Sequence, residues 1–420
     1  MTALAVAGAP RAGAARLLRG LRPRRPLTLR EHLDAYGPLE PRGRSLVEEL
    51  EASGLAGCGG AGFPAGAKVR AVAAQRRRPV VVLNGAEGEP ASEKDRLLLR
   101  RLPHLVLDGA VSLAHAVGAR EAVVVHSASA LREAAALQAA LAERGGRDRV
   151  AISVVPAPDG YVTGQETAII QYLNGGPPRP TTVPPRPFES GVRKRPTLVQ
   201  NVETAAQAAL VDRYGHAWFR RLGTPAEPGS RLFTITGAVA APGVYEAEIG
   251  APLRDLVAAA GGVTAAPKAF LVGGYAGAWI EAKAAASLTL EEAALHALGG
   301  TLGVGAVTVL PESACGICES ARVVRYLSGS SAGQCGPCVH GLAAIAGRLE
   351  QLGRRRTGAD EALLRRWTGD VAGRGACRNP DGAARFVASA LGVFARDLAR
   401  HDPGRCRGAA QRILPIPERP

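Results

Sequence analysis

A glycine-rich stretch at residues 57–68 constrains this chain more than any other feature. It reads GCGGAGFPAGAK, so five of its twelve residues are glycine, which excludes a helix interior or a packed strand. Glycine allows a positive φ and lets the backbone lie directly against a flat or charged group. Such a loop presents backbone N–H groups, and Lys68 adds a cation at its edge. The stretch predicts a loop that holds a phosphate or a flavin-like ring; a plain surface loop is the alternative in a chain with 52 glycines.

Apolar runs and helical patterns alternate on either side of this loop and beyond it. The apolar runs are short and continuous, which is typical of strands buried in a parallel sheet. The predicted elements, in chain order, are a helix at 46–53, a strand at 80–83, a helix at 105–117, a strand at 122–126, a helix at 130–144 and a strand at 150–155. Strands alternating with helices predict a Rossmann-like α/β domain, with a mostly parallel sheet covered on both faces, over residues 41–225.

Polar stretches follow the predicted strands at the edge where such sheets bind ligands. Residues 84–96, NGAEGEPASEKDR, form a polar loop at the carboxyl end of the strand at 80–83. In an open α/β sheet, ligands lie outside the carboxyl ends of the strands. Residues 160–168, GYVTGQETA, return to the same side. Residues 195–206, RPTLVQNVETAA, predict a turn that enters a helix and closes the domain.

Two further units follow the first domain. Strand-like alternation, a Pro-Gly turn and a short helix predict a small β-grasp-like module over residues 229–308. It carries no chemistry-bearing cluster, so we expect a spacer or docking unit. Apolar residues at helical spacing predict a helical bundle over residues 311–400, with cysteines between its helices. An Arg-rich tail at 1–40, predicted to be disordered, and a C-terminal tail at 401–420 flank these units.

The composition argues against several classes of function. The formal net charge is +15, but the basic residues are scattered and aromatic residues make up only 4%, too few for base-stacking platforms. We therefore expect no nucleic-acid partner, whereas an acidic redox partner is compatible with the charge. No apolar run of about 18 residues occurs, so no membrane span is predicted. Five of the seven cysteines fall in one late segment, which predicts metal or redox chemistry in a reducing compartment, the cytoplasm.

Four stretches together resemble one family, the FMN-carrying, NADH-oxidising subunit of respiratory complex I and its relatives in NAD-linked hydrogenases and formate dehydrogenases. The stretches are SGLAGCGGAGFPAGAK; NGAEGEPASEKDR; GYVTGQETA with PTLVQNVET; and AGQCGPC followed by the distant Cys377. Their order and spacing agree with the family from about residue 46 to residue 401. The resemblance implies an FMN-binding domain, an SLBB module of the β-grasp type and a helical iron–sulfur domain.

The resemblance also implies which residues bind FMN. The glycine loop and the polar loop after the first strand would hold it, and two later stretches would complete the pocket. By resemblance, the cofactor-binding residues are Gly59, Gly60, Gly62, Lys68, Asn84, Glu87, Glu89, Tyr161, Gly164, Glu166, Asn201 and Thr204. Backbone donors and Lys68 suit the phosphate, while Asn and Thr side chains can bond the ring's carbonyls and nitrogens. Taken singly, Asn84 or Thr204 would more often be a loop cap.

The late cysteines resemble the family's [4Fe–4S] site, whose pattern is C-x-x-C-x-x-C with a fourth cysteine about forty residues on. Cys335, Cys338 and Cys377 match three of these positions, and Ala332 stands where the first cysteine is expected. Thiolates are the soft ligands that iron clusters need, so we expect an iron–sulfur cluster, with [4Fe–4S] ahead of [3Fe–4S]. Structural zinc or inert buried thiols are the alternatives.

The remaining cysteines receive no assigned role from the sequence. Cys315 and Cys318 form a second C-x-x-C pair, but a helix between Cys318 and Ala332 would span about 20 Å, too far for them to replace the missing ligand. Cys58 lies inside the glycine loop, where backbone donors would lower the pKa of a thiol. A small residue without a function is the simpler interpretation there.

The flavin side of the pattern is largely intact, but the dinucleotide side departs from the family. The aromatic residue expected after the pocket lysine is absent, Arg186 replaces a Phe, and Gln165 and Ala86 replace acids. Fewer acids and an added Arg would suit the extra phosphate of NADPH, since an acid selects NAD and Arg accommodates NADP. NADH, NADPH and a protein donor all stay open.

Together these observations predict an NAD(P)H dehydrogenase-like oxidoreductase. Electrons would pass from NAD(P)H through FMN to the iron–sulfur cluster, and then to a protein acceptor such as ferredoxin or another oxidoreductase subunit. No side chain is predicted to act as a catalytic acid or base. The alternative is a non-catalytic electron-transfer or assembly subunit, linked for example to ferredoxin, that keeps the fold but has lost NADH oxidation.

Overall fold

The computed structural model describes residues 5–6, 15–352, 358–400 and 406–417. Within these ranges, ten strands form two sheets. The strands are β1 (Ala5–Val6), β2 (Val80–Gly85), β3 (Glu121–Ser127), β4 (Ala151–Ala157), β5 (Thr197–Asn201), β6 (Ser230–Gly237), β7 (Gly243–Glu248), β8 (Pro267–Val272), β9 (Ala278–Glu281) and β10 (Ala306–Pro311).

The helices surround both sheets and make up most of the last third of the chain. They are α1 (Leu29–Tyr36), α2 (Leu46–Ser53), α3 (Ala65–Ala73), α4 (Lys94–Arg101), α5 (Pro103–Val117), α6 (Leu131–Arg144), α7 (Glu166–Leu173), α8 (Val202–Phe219), α9 (Leu253–Ala259), α10 (Ala282–Ala285), α11 (Glu292–Ala297), α12 (Gly316–Gly329), α13 (Ala343–Leu352), α14 (Gly358–Val371), α15 (Asn379–Val393) and α16 (Ala395–Arg400). Among the described residues, none of these helices combines the length and the apolar character that a membrane crossing requires.

The first sheet is parallel throughout and confirms the predicted α/β class. Its strand order is β4-β3-β2-β5, and β2 pairs in parallel with both β3 and β5. The two faces of β2 enter different cores, as the period of two in a strand requires. Val81 and Leu83 pack with the helices on one side, whereas Val80 and Val82 pack with Ile169 of α7 on the other.

The strand β5 differs from the sequence prediction, which had a turn entering a helix at this place. Residues 197–201 form an edge strand, and Asn201 pairs with Asn84 at the carboxyl end of β2. The sequence gives no clear strand signal there because Pro196 precedes the segment and polar Gln200 and Asn201 end it. The extra strand brings a fourth polar loop to the edge of the sheet that was predicted to bind ligands.

The second sheet forms a separate domain and confirms the predicted β-grasp-like module. Its order is β1-β7-β6-β10-β8-β9. β6 and β7 form an antiparallel pair, while β10 runs parallel to β6 and antiparallel to β8. β10 ends at Pro311, past the predicted boundary at residue 308. The last strand of the module therefore leads almost directly into the helical domain.

The described parts of the N-terminal segment are folded against the protein, so the prediction of a disordered tail over 1–40 is wrong for residues 5–6 and 15–40. The backbone N–H groups of residues 16–18 donate to the buried carboxylate of Glu246 on β7 at 2.9–3.0 Å. The Arg16 guanidinium lies 3.9 Å from the ring centroid of Trp218. Glu246 is 230 positions away from Arg16 in sequence, so no local pattern reveals this anchor.

The last part of the chain is the predicted helical domain. α12 to α15 pack around a core that includes Leu327, Leu349 and Leu391. Two tyrosines from other domains join this core: Tyr161 comes from the loop before α7, and Tyr275 comes from the turn after β8. The helical domain therefore packs directly against the carboxyl edge of the first sheet.

Candidate functional site

The glycine loop closes on itself just before α3. Gly57 donates its N–H to the carbonyl of Phe63 at 2.9 Å. Gly60 and Gly62 have φ values of +104° and +62°, a region that side-chain-bearing residues adopt only with strain. A Cβ on Gly62 would meet no atom within 4 Å, so the backbone is open on that side. This open backbone, free of side chains, fits a phosphate or a flat ring.

The end of β5 and the start of α8 support the glycine loop. Asn201 caps α8, and its side chain accepts a hydrogen bond from the N–H of Glu203 at 3.0 Å. A Cβ on Gly59 would lie 3.2 Å from the Cβ of Asn201, so glycine lets the loop approach the strand closely. Thr204 Oγ1 accepts a hydrogen bond from the N–H of Cys58 at 2.8 Å. The structure thus brings the glycine loop, Asn201 and Thr204 together.

The loop after β2 meets the loop before α7 at the same edge. Asn84 Nδ2 donates to the carbonyl of Gly164 at 2.6 Å. A Cβ on Gly164 would lie 2.6 Å from the carbonyl oxygen of Ala86, so only glycine fits at this crossing. Lys68 Nζ lies 3.0 Å from Glu166 Oε1, and both side chains are partly exposed. Lys68 and Glu166 therefore form an ion pair that an incoming phosphate would have to share or replace.

Glu87 is held by the start of α4. Its carboxylate accepts hydrogen bonds from the backbone N–H of Asp95 and Arg96 at 3.4 and 3.2 Å, and from the Ser92 hydroxyl. Burial raises the pKa of Glu87, and the carboxylate of Asp95 raises it further. Glu87 therefore fixes the loop after β2 to the first turn of α4.

Glu89 joins the loop after β2 to the second domain. It accepts hydrogen bonds from the N–H of Tyr275 at 2.8 Å, the N–H of Ala91 at 3.1 Å and the hydroxyl of Tyr161 at 3.4 Å. Burial raises the pKa of Glu89 to about 7. Tyr161, predicted to line the flavin pocket, is therefore positioned by Glu89, and its ring lies edge-on to Tyr326 of α12 with centroids 6.0 Å apart.

A buried ion cluster lies beneath Asn201, and the sequence analysis did not find it. Lys94 Nζ lies 2.7 Å from Asp95 Oδ1 and 3.0 Å from Glu203 Oε2. Asn201 bridges the same groups, since its Oδ1 accepts from Lys94 at 3.2 Å and its Nδ2 donates to Asp95 at 2.6 Å. Burial would lower the pKa of Lys94, but the two carboxylates outweigh it and raise that pKa. The Lys-Asp pair opening α4 was the available sequence signal.

The residues that depart from the family on the dinucleotide side have local partners. Gln165 caps α7, and its Oε1 accepts hydrogen bonds from the N–H of Thr167 and Ala168 at 2.8 and 2.9 Å. Arg186 is exposed, and its N–H donates to Glu189 at 2.7 Å. An acid at position 165 would cap the helix equally well. The exchange therefore changes the charge next to Glu166 rather than the local fold.

Cys58 is buried, which decides between the two interpretations offered by the sequence. Burial raises the pKa of Cys58 to about 12, and the carboxylate of Glu203 adds to the rise. The raised pKa favours the simpler interpretation, a small residue without a function. Cys58 is a protonated, inert side chain at neutral pH.

Cys335, Cys338 and Cys377 approach one another at the end of the helical domain that follows α12. The N–H of Cys338 donates to the carbonyl of Cys335 at 3.1 Å, and Asn379 Nδ2 donates to Cys338 Sγ at 3.6 Å. Burial, with the neighbouring thiols of Cys335 and Cys377, raises the pKa of Cys338 to about 11. Three soft donors at partly buried positions fit an iron–sulfur centre. Ala332 contributes no ligand atom.

The two predicted sites are joined by packed aromatic side chains. Tyr326 of α12 contacts Tyr161 and also Tyr275, with centroids 6.0 and 6.2 Å apart. Cys335 and Cys338 border the same core. Tyr161 and Tyr275 therefore border the same core as Cys335 and Cys338.

Three family models match the chain in the order of its domains. The Nuo51 FMN-binding domain matches residues 50–210. The SLBB domain matches residues 232–274. The NADH-ubiquinone oxidoreductase-F iron-sulfur binding region matches residues 319–401. Fold and site thus define a flavin- and iron–sulfur-binding subunit of the oxidoreductase class.

Relatives along the whole chain make the family definite. The F 2 subunit of NADH-quinone oxidoreductase from Rhizobium meliloti is 32% identical over 397 residues, which are 90% of this chain and 92% of the relative. The F subunit from Rhodobacter capsulatus is 31% identical over 84% of this chain and 87% of its own length. The chain belongs to the family of NADH-quinone oxidoreductase F subunits.

A solved structure has the same arrangement of domains. A chain of NAD+-reducing [NiFe]-hydrogenase in the H2-reduced state superposes with a TM-score of 0.78 at 29% identity. The match covers 86% of this chain but only 62% of the hydrogenase chain. This chain therefore spans less than two thirds of that relative.

Proposed function

We propose that this chain takes electrons from NAD(P)H at an FMN held by the glycine loop, and passes them through an iron–sulfur centre to a protein acceptor. The observation that carries the proposal is the convergence of four polar loops at one sheet edge, beside the domain that holds Cys335, Cys338 and Cys377. FMN supplies the exchange between two-electron and one-electron transfer. The protein would bind FMN, orient it and shield it.

The residues at the sheet edge divide this work. The backbone at Gly60 and Gly62, both at positive φ, would with Lys68 suit a phosphate. Asn201 and Thr204 hold the loop and offer polar groups at the strand end. Glu89 orients Tyr161 between this edge and α12. None of these roles requires a proton transfer by a side chain.

The donor is tested by anaerobic titration of the purified full chain with NADH and NADPH while the flavin absorbance is followed. We expect bleaching by NAD(P)H, with NADPH favoured more than in relatives that have an acid at position 165. The added positive charge at Arg186 and the neutral Gln165 suit the extra phosphate. Absence of bleaching with both nucleotides would reject the proposed donor.

A second function is favoured by one observation, the ion pair between Lys68 and Glu166. It joins the lysine of the glycine loop to the residue that follows Gln165, and Gln165 and Ala86 stand where the family has acids. A non-catalytic electron-transfer or assembly subunit would keep the flavin fold without oxidising NAD(P)H. Steady-state reduction of ferricyanide separates the two functions. The proposed enzyme reduces ferricyanide continuously with pyridine nucleotide, whereas a non-catalytic electron-transfer subunit does not.

The cluster and the acceptor complete the proposal. Three thiolates would hold a [4Fe–4S] cluster with a ligand other than cysteine, or a [3Fe–4S] cluster, and EPR spectra of anaerobically purified protein distinguish them. The acceptor is a protein, ferredoxin or another oxidoreductase subunit, that docks beside the helical domain. Because iron-binding thiols persist in a reducing compartment, we place this activity in the cytoplasm.

A further inference from the structure

A second group of cysteines converges at the N-terminal end of α12, and the proposed electron path does not use it. The sulfur atoms of Cys315, Cys318 and Cys406 all lie within 4.8 Å of one another. Cys318 Sγ and Cys406 Sγ are 4.0 Å apart. The sequence analysis left the first two without a role and placed Cys406 in a C-terminal tail. The tail in fact returns to the start of α12.

We propose that Cys315, Cys318 and Cys406 bind one zinc ion, which fastens the C-terminal segment to the helical domain. A tetrahedral zinc ion has Zn–S distances of about 2.3 Å, which separate its sulfur ligands by about 3.8 Å. The Cys318 and Cys406 sulfurs are 4.0 Å apart, near that value, and no pair among the three is separated by more than 4.8 Å. The three cysteine side chains would therefore move only slightly toward one another when they bind a zinc ion.

The spacing of the sulfurs favours a single ion over an iron–sulfur cluster. In a cluster, each cysteine binds a separate iron atom, so the sulfurs stay farther apart than the ligands of one ion. Within the described residues, Cys335, Cys338 and Cys377 are not gathered as tightly as the second group. The chain thus has one looser set of thiols suited to a cluster and one tighter set suited to a single metal ion.

The start of α12 is built to present two of these sulfurs. Cys315 is the N-cap of α12, and its sulfur accepts a hydrogen bond from the N–H of Cys318 at 3.4 Å. The C-x-x-C spacing thus places both sulfurs beside the first turn of the helix. N–H donors and the positive end of a helix both favour the thiolate form that binds metal.

The C-terminal segment is held where it must be for Cys406 to complete the group. A Cβ on Gly408 would lie 2.6 Å from the backbone nitrogen of Cys315, so glycine lets the chain pass closely. Further on, Leu414 is buried and its N–H donates to Glu319 Oε2 at 2.8 Å. The Tyr275 hydroxyl donates to the carbonyl of Pro415. The thiol of Cys406 is therefore positioned by contacts on its C-terminal side.

Charge gives a further reason for a cation at this place. Three thiolates at this spacing repel one another strongly, and a divalent ion between them removes the repulsion. The same chemistry selects zinc over the hard cations, because thiolates are soft ligands.

The test is metal analysis of the full chain, purified anaerobically from cells grown with both iron and zinc. We expect about one zinc per chain in addition to the iron. Cys406→Ser and Cys318→Ser should each lose at least nine tenths of the zinc, and should keep their iron and flavin content. Cobalt(II) added to zinc-free protein should give tetrahedral d–d bands and sulfur-to-cobalt charge transfer that both variants lack.

Two matched controls separate this site from the proposed cluster. Cys58→Ser changes a buried cysteine outside both groups and should keep zinc and iron. Cys335→Ser should lose iron and keep zinc. The zinc proposal is therefore tested independently of the proposed electron path. Circular dichroism confirms that each variant is folded.

Three results would overturn the proposal. The first is wild-type protein that contains no zinc and gives no thiolate-to-cobalt charge transfer. The second is loss of iron rather than zinc in Cys406→Ser, which would make the group a cluster site. The third is a disulfide between Cys318 and Cys406 in peptide maps of the anaerobic protein. A folding failure of one variant leaves the cobalt spectrum of the wild type as the deciding measurement.

Discussion

Replacing Lys94 by Met tests whether the buried ion cluster stabilises the edge of the first sheet that we propose binds FMN. Lys94 is only 1% exposed and neutralises two carboxylates at 2.7 and 3.0 Å. Lys94→Met keeps the length and the apolar stem but leaves Asp95 and Glu203 buried without a cation. Removing one partner from a buried ion pair costs about 3–5 kcal/mol of unfolding free energy. Asn201 still donates to Asp95, so we expect about 4 kcal/mol.

The assay is thermal unfolding followed both by circular dichroism and by the fluorescence of released flavin. A loss of about 4 kcal/mol lowers the Tm of a domain of this size by about 10 °C, at 2–4 °C per kcal/mol. Flavin release should shift with it, because Asn201 and Thr204 support the glycine loop. Lys283→Met is the matched control, since Lys283 is exposed on α10 and its change should stay within about 0.5 kcal/mol.

The pH dependence and a double variant sharpen this test. Burial raises the pKa of Asp95, and without Lys94 the rise is larger. A carboxyl group with a raised folded pKa stabilises the fold below its unfolded pKa and loses that contribution as the pH rises through its folded pKa. The defect of Lys94→Met should therefore be larger at pH 8 than at pH 5. Adding Glu203→Gln should restore part of the loss, since it removes one uncompensated charge. Fully additive effects, or a Lys94→Met variant as stable as Lys283→Met, would refute this reasoning.

Three other predictions address the pocket and the cluster. Because burial raises the pKa of Glu89 to about 7, its contribution is present below about pH 4 and is lost as the pH rises through 7. Glu89→Gln should flatten the fall of Tm between pH 5 and pH 8, and an unchanged slope would contradict it. Ala332→Cys supplies the missing thiol and should raise iron toward four per chain, with loss of any [3Fe–4S] EPR signal; unchanged iron and EPR would count against a ligand position there. Gln165→Glu keeps the helix cap and should shift flavin reduction several-fold from NADPH toward NADH. An unchanged preference would show that position 165 does not face the nucleotide.

Local pattern was enough to predict the sheet but not its edge. The continuous apolar run at residues 80–83 identifies a strand that is buried on both faces, and the structure agrees, whereas the edge strand β4 is largely only partly buried. The strand β5 was missed because its pairing with β2, rather than its own residues, makes it a strand. The N-terminal segment was missed for a related reason: Glu246 holds it, and that carboxylate is far away in sequence. Both errors come from contacts between distant residues, which no local window contains.

The site shows the same division between what sequence pattern reveals and what only the fold can bring together. The glycine loop could be found because its backbone requirements leave a dense glycine pattern. Lys94 and Asp95 stand in a stretch that the sequence analysis quoted, but Glu203 completes their cluster only after β5 meets β2. Cys406 likewise comes close to Cys315 and Cys318 only because the C-terminal segment turns back to the start of α12. Residues whose role depends on a distant partner stay invisible until the topology is known.

We expect the second domain to be a spacer or docking unit, but its contacts also support the glycine loop and the carboxyl edge of the first sheet. The buried guanidinium of Arg231 donates to the carbonyl of Cys58 in the glycine loop at 3.2 Å. The N–H of Leu232 donates to Glu203 at 2.8 Å, and the N–H of Tyr275 donates to Glu89 at 2.8 Å. Each bond joins a loop or carboxylate of the first domain to the backbone or side chain of the second. A loop rich in glycine has much conformational freedom to lose, so an outside support of this kind is what lets it hold one shape before a ligand binds.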